Sequence, residues 1–238
     1  MKNKLVKLFI AYYVITSMSV AAQTNITLGR ADFQIYRAAR SASEPGFPEP
    51  NIVIRVQSEK GNREMFVITN EIGTMLLPLR PGKYCFDIFN NQGYSLDFDK
   101  SQHFTCFEVL SKRDYWREVV GITLPHDYDD PKHSVVNRPM IDLGYAHFQT
   151  LRATMNPSNP PGIDSGVIVR IKKDKEEMFA IPNGDGIVRV PFRPGEYCFD
   201  TFDIKGKRLE LDKNNPDTCF NISQGKDIEV KVVIAPQK

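Results

Sequence analysis

One eight-residue stretch occurs twice in this chain and constrains its fold more than any other feature. Residues 80–87 read RPGKYCFD, and residues 193–200 read RPGEYCFD. In both copies a Pro-Gly turn leads into aromatic residues that alternate with cysteine and aspartate, which is the period-two pattern of a half-buried strand. The chain is therefore predicted to contain a tandem repeat of a β domain.

The similarity between the two copies extends well beyond this stretch. Residues 28–38 and 143–153 agree at 7 of 11 positions, and residues 79–107 agree with residues 192–220 at 15 of 29. Each copy contains about seven short segments with strand patterning, separated by turn signals, and no long segment with a helical period. The predicted fold class is all-β, with two tandem Ig-like β-sandwich domains.

The domain boundaries follow from the repeat and from an export signal. Three leading lysines, an apolar run and small residues before position 23 are typical of a cleaved signal peptide over residues 1–22. The first β-sandwich then spans residues 23–125, a polar linker spans 126–140, and the second β-sandwich spans 141–238. An uncleaved membrane anchor is the competing interpretation, but the apolar run is short and interrupted by polar residues. We expect a protein that is periplasmic or secreted in a bacterium and does not span the membrane after cleavage.

The four cysteines form two pairs with the same spacing. Cys106 follows Cys85 by 21 residues, and Cys219 follows Cys198 by 21 residues. In an exported protein this arrangement predicts one disulfide per repeat, Cys85–Cys106 and Cys198–Cys219. A zinc site is the alternative, but the spacing is longer than in the usual zinc motifs and no histidine recurs with the cysteines.

A short turn-and-corner order also recurs in both copies. A turn with Gly73 precedes one strand and residues 81–84 (PGKY) begin the next, and Gly186 and residues 194–197 (PGEY) repeat this order. The order resembles that of the prealbumin-like sandwiches, which include the carboxypeptidase regulatory-like domains and the B-type repeats of bacterial collagen adhesins. The resemblance covers most of each repeat. It implies a prealbumin-like β-sandwich with a non-catalytic accessory, adhesive or binding role.

The charge of the chain argues against nucleic acid as a partner. The formal net charge is +2, and removal of the leader takes away three lysines and no acidic residue, so the mature chain carries 2 − 3 = −1. Beyond a short group of lysines at 172, 173 and 175, no basic block is available to neutralise a phosphate backbone. A protein is the expected partner.

Catalysis is not predicted. The sequence contains neither Gly-x-Ser-x-Gly nor His-Glu-x-x-His, and its four histidines do not recur between the copies. The repeat uses all four cysteines, so none is left as a nucleophile. We expect no cofactor and no enzyme, with a hydrolase as a remote alternative.

Two sets of residues, one of aspartates and one of aspartates with histidines, have the chemistry of metal ligands or catalytic carboxylates. The recurring aspartates Asp87/Asp200 and Asp99/Asp212 are interpreted instead as residues that flank turns and accept backbone hydrogen bonds. The other set is a cluster in the linker, interpreted as ordinary polar linker sequence rather than a metal site. Its members are His126, Asp127, Asp129, Asp130 and His133.

The two copies differ most just before their closing strands. The first copy has Arg113, Tyr115, Trp116 and Arg117, and the second has no counterpart to this tryptophan. Because Tyr, Trp and Arg dominate binding hot spots, this loop is the predicted partner contact. The alternative is that Trp116 packs against its own domain or the linker. The expected function is an exported binding protein that acts as an inhibitor, immunity-type partner or accessory module, and the alternative is a structural or adhesive subunit of a pilus or surface fibre.

Overall fold

The structure is a computed structural model. It describes residues 25–38, 46–60, 63–97, 105–110, 117–125, 140–156, 158–214 and 217–236, with the backbone alone for 117–122. These ranges contain strands and turns and no helix, hence no helix with the length and apolarity needed to cross a membrane. The predicted signal peptide, most of the predicted linker and the tip of the predicted contact loop lie outside the described residues.

The first repeat is a sandwich of two four-stranded sheets. Its strands are β1 (Gly29–Arg37), β2 (Phe47–Pro48), β3 (Val53–Ser58), β4 (Glu64–Ile68), β5 (Thr74–Leu79), β6 (Gly82–Phe89), β7 (Cys106–Val109) and β8 (Arg117–Leu124). In one sheet β1 pairs with β2 and β5 in antiparallel fashion and with β8 in parallel. The other sheet has the order β4-β3-β6-β7. Strand β3 lies inside this sheet, and its β-branched residues Val53, Ile54 and Val56 are buried.

The second repeat has the same architecture. Its strands are β9 (Gly144–Arg152), β10 (Gly162–Ile163), β11 (Val167–Lys173), β12 (Glu176–Ala180), β13 (Ile187–Phe192), β14 (Gly195–Asp203), β15 (Arg208–Leu209), β16 (Cys219–Ile222) and β17 (Asp227–Ile234). β9 takes the place of β1 and pairs in parallel with β17, and the other sheet has β12, β11, β14, β15 and β16. The prediction of an all-β protein with tandem sandwiches is confirmed. The strands beyond seven per repeat are two-residue pairings too short to leave a period in the sequence.

Each sandwich is filled by rings from the strands that carry the repeated sequence. The ring of Phe33, which is fully buried, contacts the rings of Phe86 and Phe107 edge-on, each at 5.7 Å between centroids. Edge-to-face packing is favourable because the positive edge of one ring meets the negative face of the other. The equivalent residues of the second repeat are Phe148, Phe199 and Phe220, with the same edge-on contacts.

Both predicted disulfides are present. Cys85 on β6 lies directly opposite Cys106 on β7, and Cys198 on β14 lies directly opposite Cys219 on β16. Each bond joins an interior strand to the edge strand beside it, so it closes a loop within one repeat. In the chain-entropy model a loop of this length contributes about 3 kcal/mol to stability.

The interpretation of Asp87 and Asp200 as turn residues was wrong. Both lie inside strands, opposite arginines of the neighbouring strand: Asp87 opposite Arg55, and Asp200 opposite Arg170. The motif places each aspartate on the outer face of its sheet, where a cross-strand arginine is the available partner. Asp212 does behave as predicted, since its side chain accepts the backbone N–H of Asn214 at 2.8 Å. Asp99 lies outside the described residues.

Candidate interaction site at the joint between the repeats

The repeated stretch builds a rigid corner that presents an arginine. The hydroxyl of Tyr84 donates a hydrogen bond to the carbonyl oxygen of Arg80 at 2.8 Å, and Tyr197 makes the same bond to Arg193 at 2.9 Å. Burial raises the pKa of both tyrosines, that of Tyr197 to about 12. The hydroxyls therefore stay protonated as donors, and the position of each arginine is set by its own repeat.

Each of these arginines pairs with a glutamate of the other repeat. Arg80 donates from Nε and Nη2 to the two carboxylate oxygens of Glu177, the second bond at 3.1 Å. Arg193 donates in the same way to Glu64, at 2.6 and 3.1 Å. Both hydrogen-bonded glutamates raise the pKa of their arginine. These two ion pairs form the centre of the contact between the repeats, the joint. Because position 193 is the repeat of position 80, and 177 is the repeat of 64, the joint has an approximate two-fold axis.

The paired arginines also lie over aromatic rings of the other repeat. The guanidinium carbon of Arg80 is 5.7 Å from the ring centre of Phe179, and that of Arg193 is 5.6 Å from the ring centre of Phe66. A cation over an aromatic face is attracted to it, most strongly where water is excluded. The two halves of the joint therefore match in their contacts between arginines and aromatic rings as well as in their ion pairs.

Within each repeat a second ion pair lies behind the joint. Arg170 donates to both oxygens of Asp200, with Nε to Oδ1 at 2.7 Å, and one of its nitrogens lies 3.8 Å from Glu177. Burial alone would raise the pKa of Asp200, but hydrogen bonds from Arg170 and Lys172 outweigh it and lower that pKa. The equivalent pair in the first repeat, Arg55 with Asp87, is more exposed on the aspartate side.

The segments that precede β1 and β9 cross the joint. The backbone N–H of Ile26 bonds to the carbonyl of Gly206 in the second repeat at 2.8 Å, and the N–H of Ile141 bonds to the carbonyl of Gly93 in the first repeat at 2.9 Å. Both glycines have positive φ, +90° at Gly93 and +83° at Gly206, and a Cβ at either would overlap the carbonyl oxygen of the crossing isoleucine. Glycine is needed here both for the backbone conformation and for the close approach.

The crossing segments bury apolar side chains on the other repeat. One cluster holds residues of the first repeat together with Ile141, Leu143 and Tyr145 around the start of β9. The other holds residues of the second repeat together with Ile26 and Leu28, which precede β1. The first consists of Val53, Phe66, Ile68, Phe89, Ile141, Leu143 and Tyr145. The second consists of Ile26, Ile168, Phe179 and Phe202, with Leu28 and Ile181 packed against it.

An open groove of about 1010 Å³ lies beside the joint. Its walls include the turn between β4 and β5 and the equivalent turn between β12 and β13. Asn70 closes the first turn by accepting the N–H groups of Ile72 and Thr74, and Asn183 closes the second in the same way. Two isoleucines are left exposed on these walls, Ile72 at 66% and Ile187 at 41%. Both side chains are available for contact with a partner in this groove.

The predicted partner contact is not tested by this structure. Arg113, Tyr115 and Trp116 lie outside the described residues, and Arg117 is described by its backbone, which begins β8 beside Arg30 of β1. The contact therefore stays a prediction.

The structure instead draws attention to residues that the sequence analysis did not select. Arg80, Glu177, Arg193 and Glu64 are identical between the copies, and identity between repeats is equally typical of residues needed for the fold. The available signal was that these four are charged and sit at strand ends rather than in a core.

The histidine and aspartate cluster of the predicted linker, His126 to His133, lies outside the described residues. Among the residues that the structure does describe, no group of three or more His, Cys, Asp or Glu side chains is placed to hold a metal ion.

No family model and no curated protein sequence matches this chain. Several solved structures do. GBS52, the minor pilin of the gram-positive pathogen Streptococcus agalactiae, matches at 11% identity and a TM-score of 0.31, covering 88% of this chain and 97% of that one. The shaft pilin SpaA of Lactobacillus rhamnosus GG matches at 9% identity and a TM-score of 0.30, with coverage of 89% and 99%. The Bacillus anthracis TIE protein matches at 16% identity and a TM-score of 0.28, covering 87% of this chain, which spans 34% of that protein.

Proposed function

We propose that this protein is an exported, non-catalytic subunit of a bacterial surface assembly, with a structural or adhesive role. The observation that carries the proposal is the reciprocal joint, in which Arg80 and Arg193 pair with glutamates of the opposite repeat and the two leading segments cross. Tandem domains joined by a linker alone move relative to each other by default. A joint held from both sides gives the two repeats that meet in it one fixed orientation, which suits a protein that keeps its place in an assembly.

The covalent chemistry supports an exported protein. Both pairs of cysteines are joined, and structural disulfides are typical of the cell exterior and the bacterial periplasm rather than the cytosol. The leader predicted over residues 1–22 agrees with this compartment. Each disulfide holds an edge strand to its sheet, which favours a domain that lasts outside the cell.

The ionisable groups with shifted pKa values support a non-catalytic role. Arg80 and Arg193 are shifted by the glutamates they pair with, and Asp200 by Arg170 and Lys172. Each of these groups is already engaged by a partner that holds the fold or the joint together. A catalytic group is more often left poised toward a cleft.

A soluble binding protein is the second candidate, and the groove beside the joint favours it. Ile72 and Ile187 are large apolar side chains exposed on opposite walls of that groove. Exposed apolar residues at a concave surface are typical of protein contacts. In this case the partner would be a separate soluble protein.

Cross-linking in intact cells tests the proposal. The full chain carries an epitope tag, cells are treated with an amine-reactive cross-linker, and the cell surface and soluble fractions are separated. We expect the tagged chain in the surface fraction and cross-linked products of high mass that contain it. A soluble complex of fixed stoichiometry with another protein would contradict the proposal, and if its capture is lost in the variant Ile72→Asp/Ile187→Asp, the second candidate is correct.

A further inference from the structure

Each repeat carries both halves of the ion pair that joins it to the other. The first repeat contributes Arg80 as donor and Glu64 as acceptor, and the second contributes Arg193 and Glu177. A surface that holds both members of a pair, related by a two-fold axis, is complementary to a copy of itself. Two first repeats could therefore pair through Arg80 and Glu64, and two second repeats through Arg193 and Glu177.

The apolar part of the joint has the same property. The residues that fill it are identical in the two repeats with two exceptions: Val53 corresponds to Ile168, and Tyr145 corresponds to Arg30. The identical pairs are Ile26/Ile141, Leu28/Leu143, Phe66/Phe179, Ile68/Ile181, Phe89/Phe202 and Gly93/Gly206. The crossing segment of the first repeat thus matches the surface that now receives the segment of the second. One methylene group is a volume change that packing tolerates.

We propose that a second copy of this chain is an alternative partner for each repeat, and that copies join through pairs of like repeats into an open line. When the two repeats of one chain separate, the first docks on the first repeat of a neighbour and the second docks on the second repeat of another. Each joint is two-fold, and because a chain has one joint at each end, the series continues. The inference rests on the proposed surface-subunit function and names the contact through which such subunits meet.

The connection between the repeats decides which form dominates. Fifteen residues, 125–139, lie between the end of β8 at Leu124 and the pairing of Met140 with Tyr94. A chain of that length reaches about 50 Å when extended, which lets the repeats separate. A short tether also keeps the two repeats of one chain at a high effective concentration. The closed single chain is therefore favoured in dilute solution, and the open line is favoured where copies are crowded.

Two charge-exchanged double variants distinguish pairs of like repeats from pairs of unlike repeats. Glu64→Arg/Arg80→Glu keeps opposite charges between like repeats, but within one chain it places two carboxylates together at positions 80 and 177 and two guanidinium groups together at positions 64 and 193. Arg80→Glu/Glu177→Arg does the reverse, since it keeps opposite charges within one chain and places like charges between like repeats. The two variants have the same composition and net charge.

The two variants also share their side effects. Each places a new arginine beside an arginine of the same repeat, next to Arg55 in one variant and Arg170 in the other. Each also removes the guanidinium of Arg80 from the ring of Phe179. A difference in assembly between the variants therefore reports on the joint, and intact disulfides with a native far-ultraviolet spectrum show that both are folded.

Sedimentation of the purified full chains over a range of concentrations is the measurement. We expect the weight-average mass of Glu64→Arg/Arg80→Glu to rise with concentration to about twice that of Arg80→Glu/Glu177→Arg or more, and to fall again on dilution. Equal masses for the two variants overturn the proposal, whether both stay single or both associate, because association of both would mean exchange between unlike repeats. Loss of folding in the first variant with a native second variant also overturns it, since it would show that like repeats cannot replace the closed joint.

Failure here and failure of the surface function are separate results. The sedimentation test uses pure protein and reports on one contact, whereas cross-linking in cells reports on where the chain is located and which proteins it contacts. If cross-linking showed a surface assembly and the two charge-exchanged variants did not differ in mass, the proposed function would stand and only the contact between like repeats would be rejected.

Discussion

At the scale of single residues, one short motif serves the fold and the joint together. In residues 80–87 the tyrosine anchors the corner, the cysteine closes the disulfide, and the aspartate pairs with Arg55 across the sheet. The arginine at its start points away to Glu177. The two copies of this motif supply the two arginine donors of the joint, and each repeat adds a glutamate acceptor outside the motif.

The buried ion pair of the second repeat should make stability depend on pH. Arg170 and Lys172 lower the pKa of Asp200, so the stabilisation is complete above the unfolded pKa of about 3.9 and is lost as the pH falls through the lower folded value. We expect Asp200→Asn to reduce the free energy of unfolding by about 2–4 kcal/mol at pH 7, and the difference from wild type to shrink as the pH falls below about 4. Urea unfolding at several pH values measures it.

The matched control is Asp87→Asn in the first repeat. The side chain of Asp87 is 47% exposed, against 10% for Asp200, so solvent screens its ion pair. A loss of about 0–1 kcal/mol is expected. Equal losses at the two positions would show that burial does not set the strength of the pair.

At the scale of elements, turns decide how the strands of one repeat meet the other. The turn after β6 and its counterpart after β14 each present a carbonyl group to a crossing segment. Both turns hold the glycine in a left-handed conformation with an isoleucine carbonyl directly above it. The turn is therefore part of the joint, although it is made wholly within one repeat.

Substitution of these glycines should weaken the joint. We expect Gly93→Ala and Gly206→Ala each to lower the free energy of unfolding by about 1–3 kcal/mol, because the new methyl group meets the carbonyl of Ile141 or Ile26 and the backbone is strained. Gly184→Ala is the control, since nothing lies within 4 Å of its Cβ position, and its effect should stay within about 0.5 kcal/mol. Thermal or denaturant unfolding measures these values. If Gly184→Ala lowered the free energy of unfolding as much as the other two substitutions, contact with the crossing segments would not be the reason that Gly93 and Gly206 are needed.

At the scale of the whole molecule, the repeats depend on each other for part of their core. The segment that leads into the first repeat covers Ile168, Phe179 and Phe202 of the second. The segment that leads into the second repeat covers Phe66 and Phe89 of the first. The buried residues of both sandwiches also include one cluster that runs through the two. Unfolding is expected to be a shared event rather than two separate ones.

A substitution at the start of the first repeat should therefore loosen the second. Ile26 is 5% exposed and packs on the second repeat, so Ile26→Ala is expected to cost about 2–4 kcal/mol and to speed hydrogen exchange in β11, β12 and β14. The control is Ile204→Ala, at a residue that is 69% exposed. It should change the free energy of unfolding by no more than about 0.5 kcal/mol and leave hydrogen exchange in these strands as it is in the wild type. Faster exchange confined to β1 and β5 would show that the segment serves its own repeat.

Local patterns in the sequence determined most of the architecture. Alternation of apolar and polar residues predicted the strands, Pro-Gly predicted the corners, Gly73 and Gly186 predicted the turns before them, and equal spacing predicted both disulfides. These features depend on neighbours along the chain or on the second copy, so one sequence is enough to find them. Two-residue strands such as β2 and β10 escaped because they are shorter than the period that would reveal them.

The tertiary structure alone decided which repeated residues serve the repeat and which serve the joint. Arg80 and Asp87 are equally repeated in the sequence, yet Asp87 pairs with Arg55 in its own sheet, whereas Arg80 pairs with Glu177, 97 residues away. The crossing of Ile26 and Ile141 left no signal, because an apolar residue before a strand looks the same whichever core receives it. The sequence shows which kinds of partner a charged or apolar side chain can have, and the packing of the two domains determines which partner it contacts.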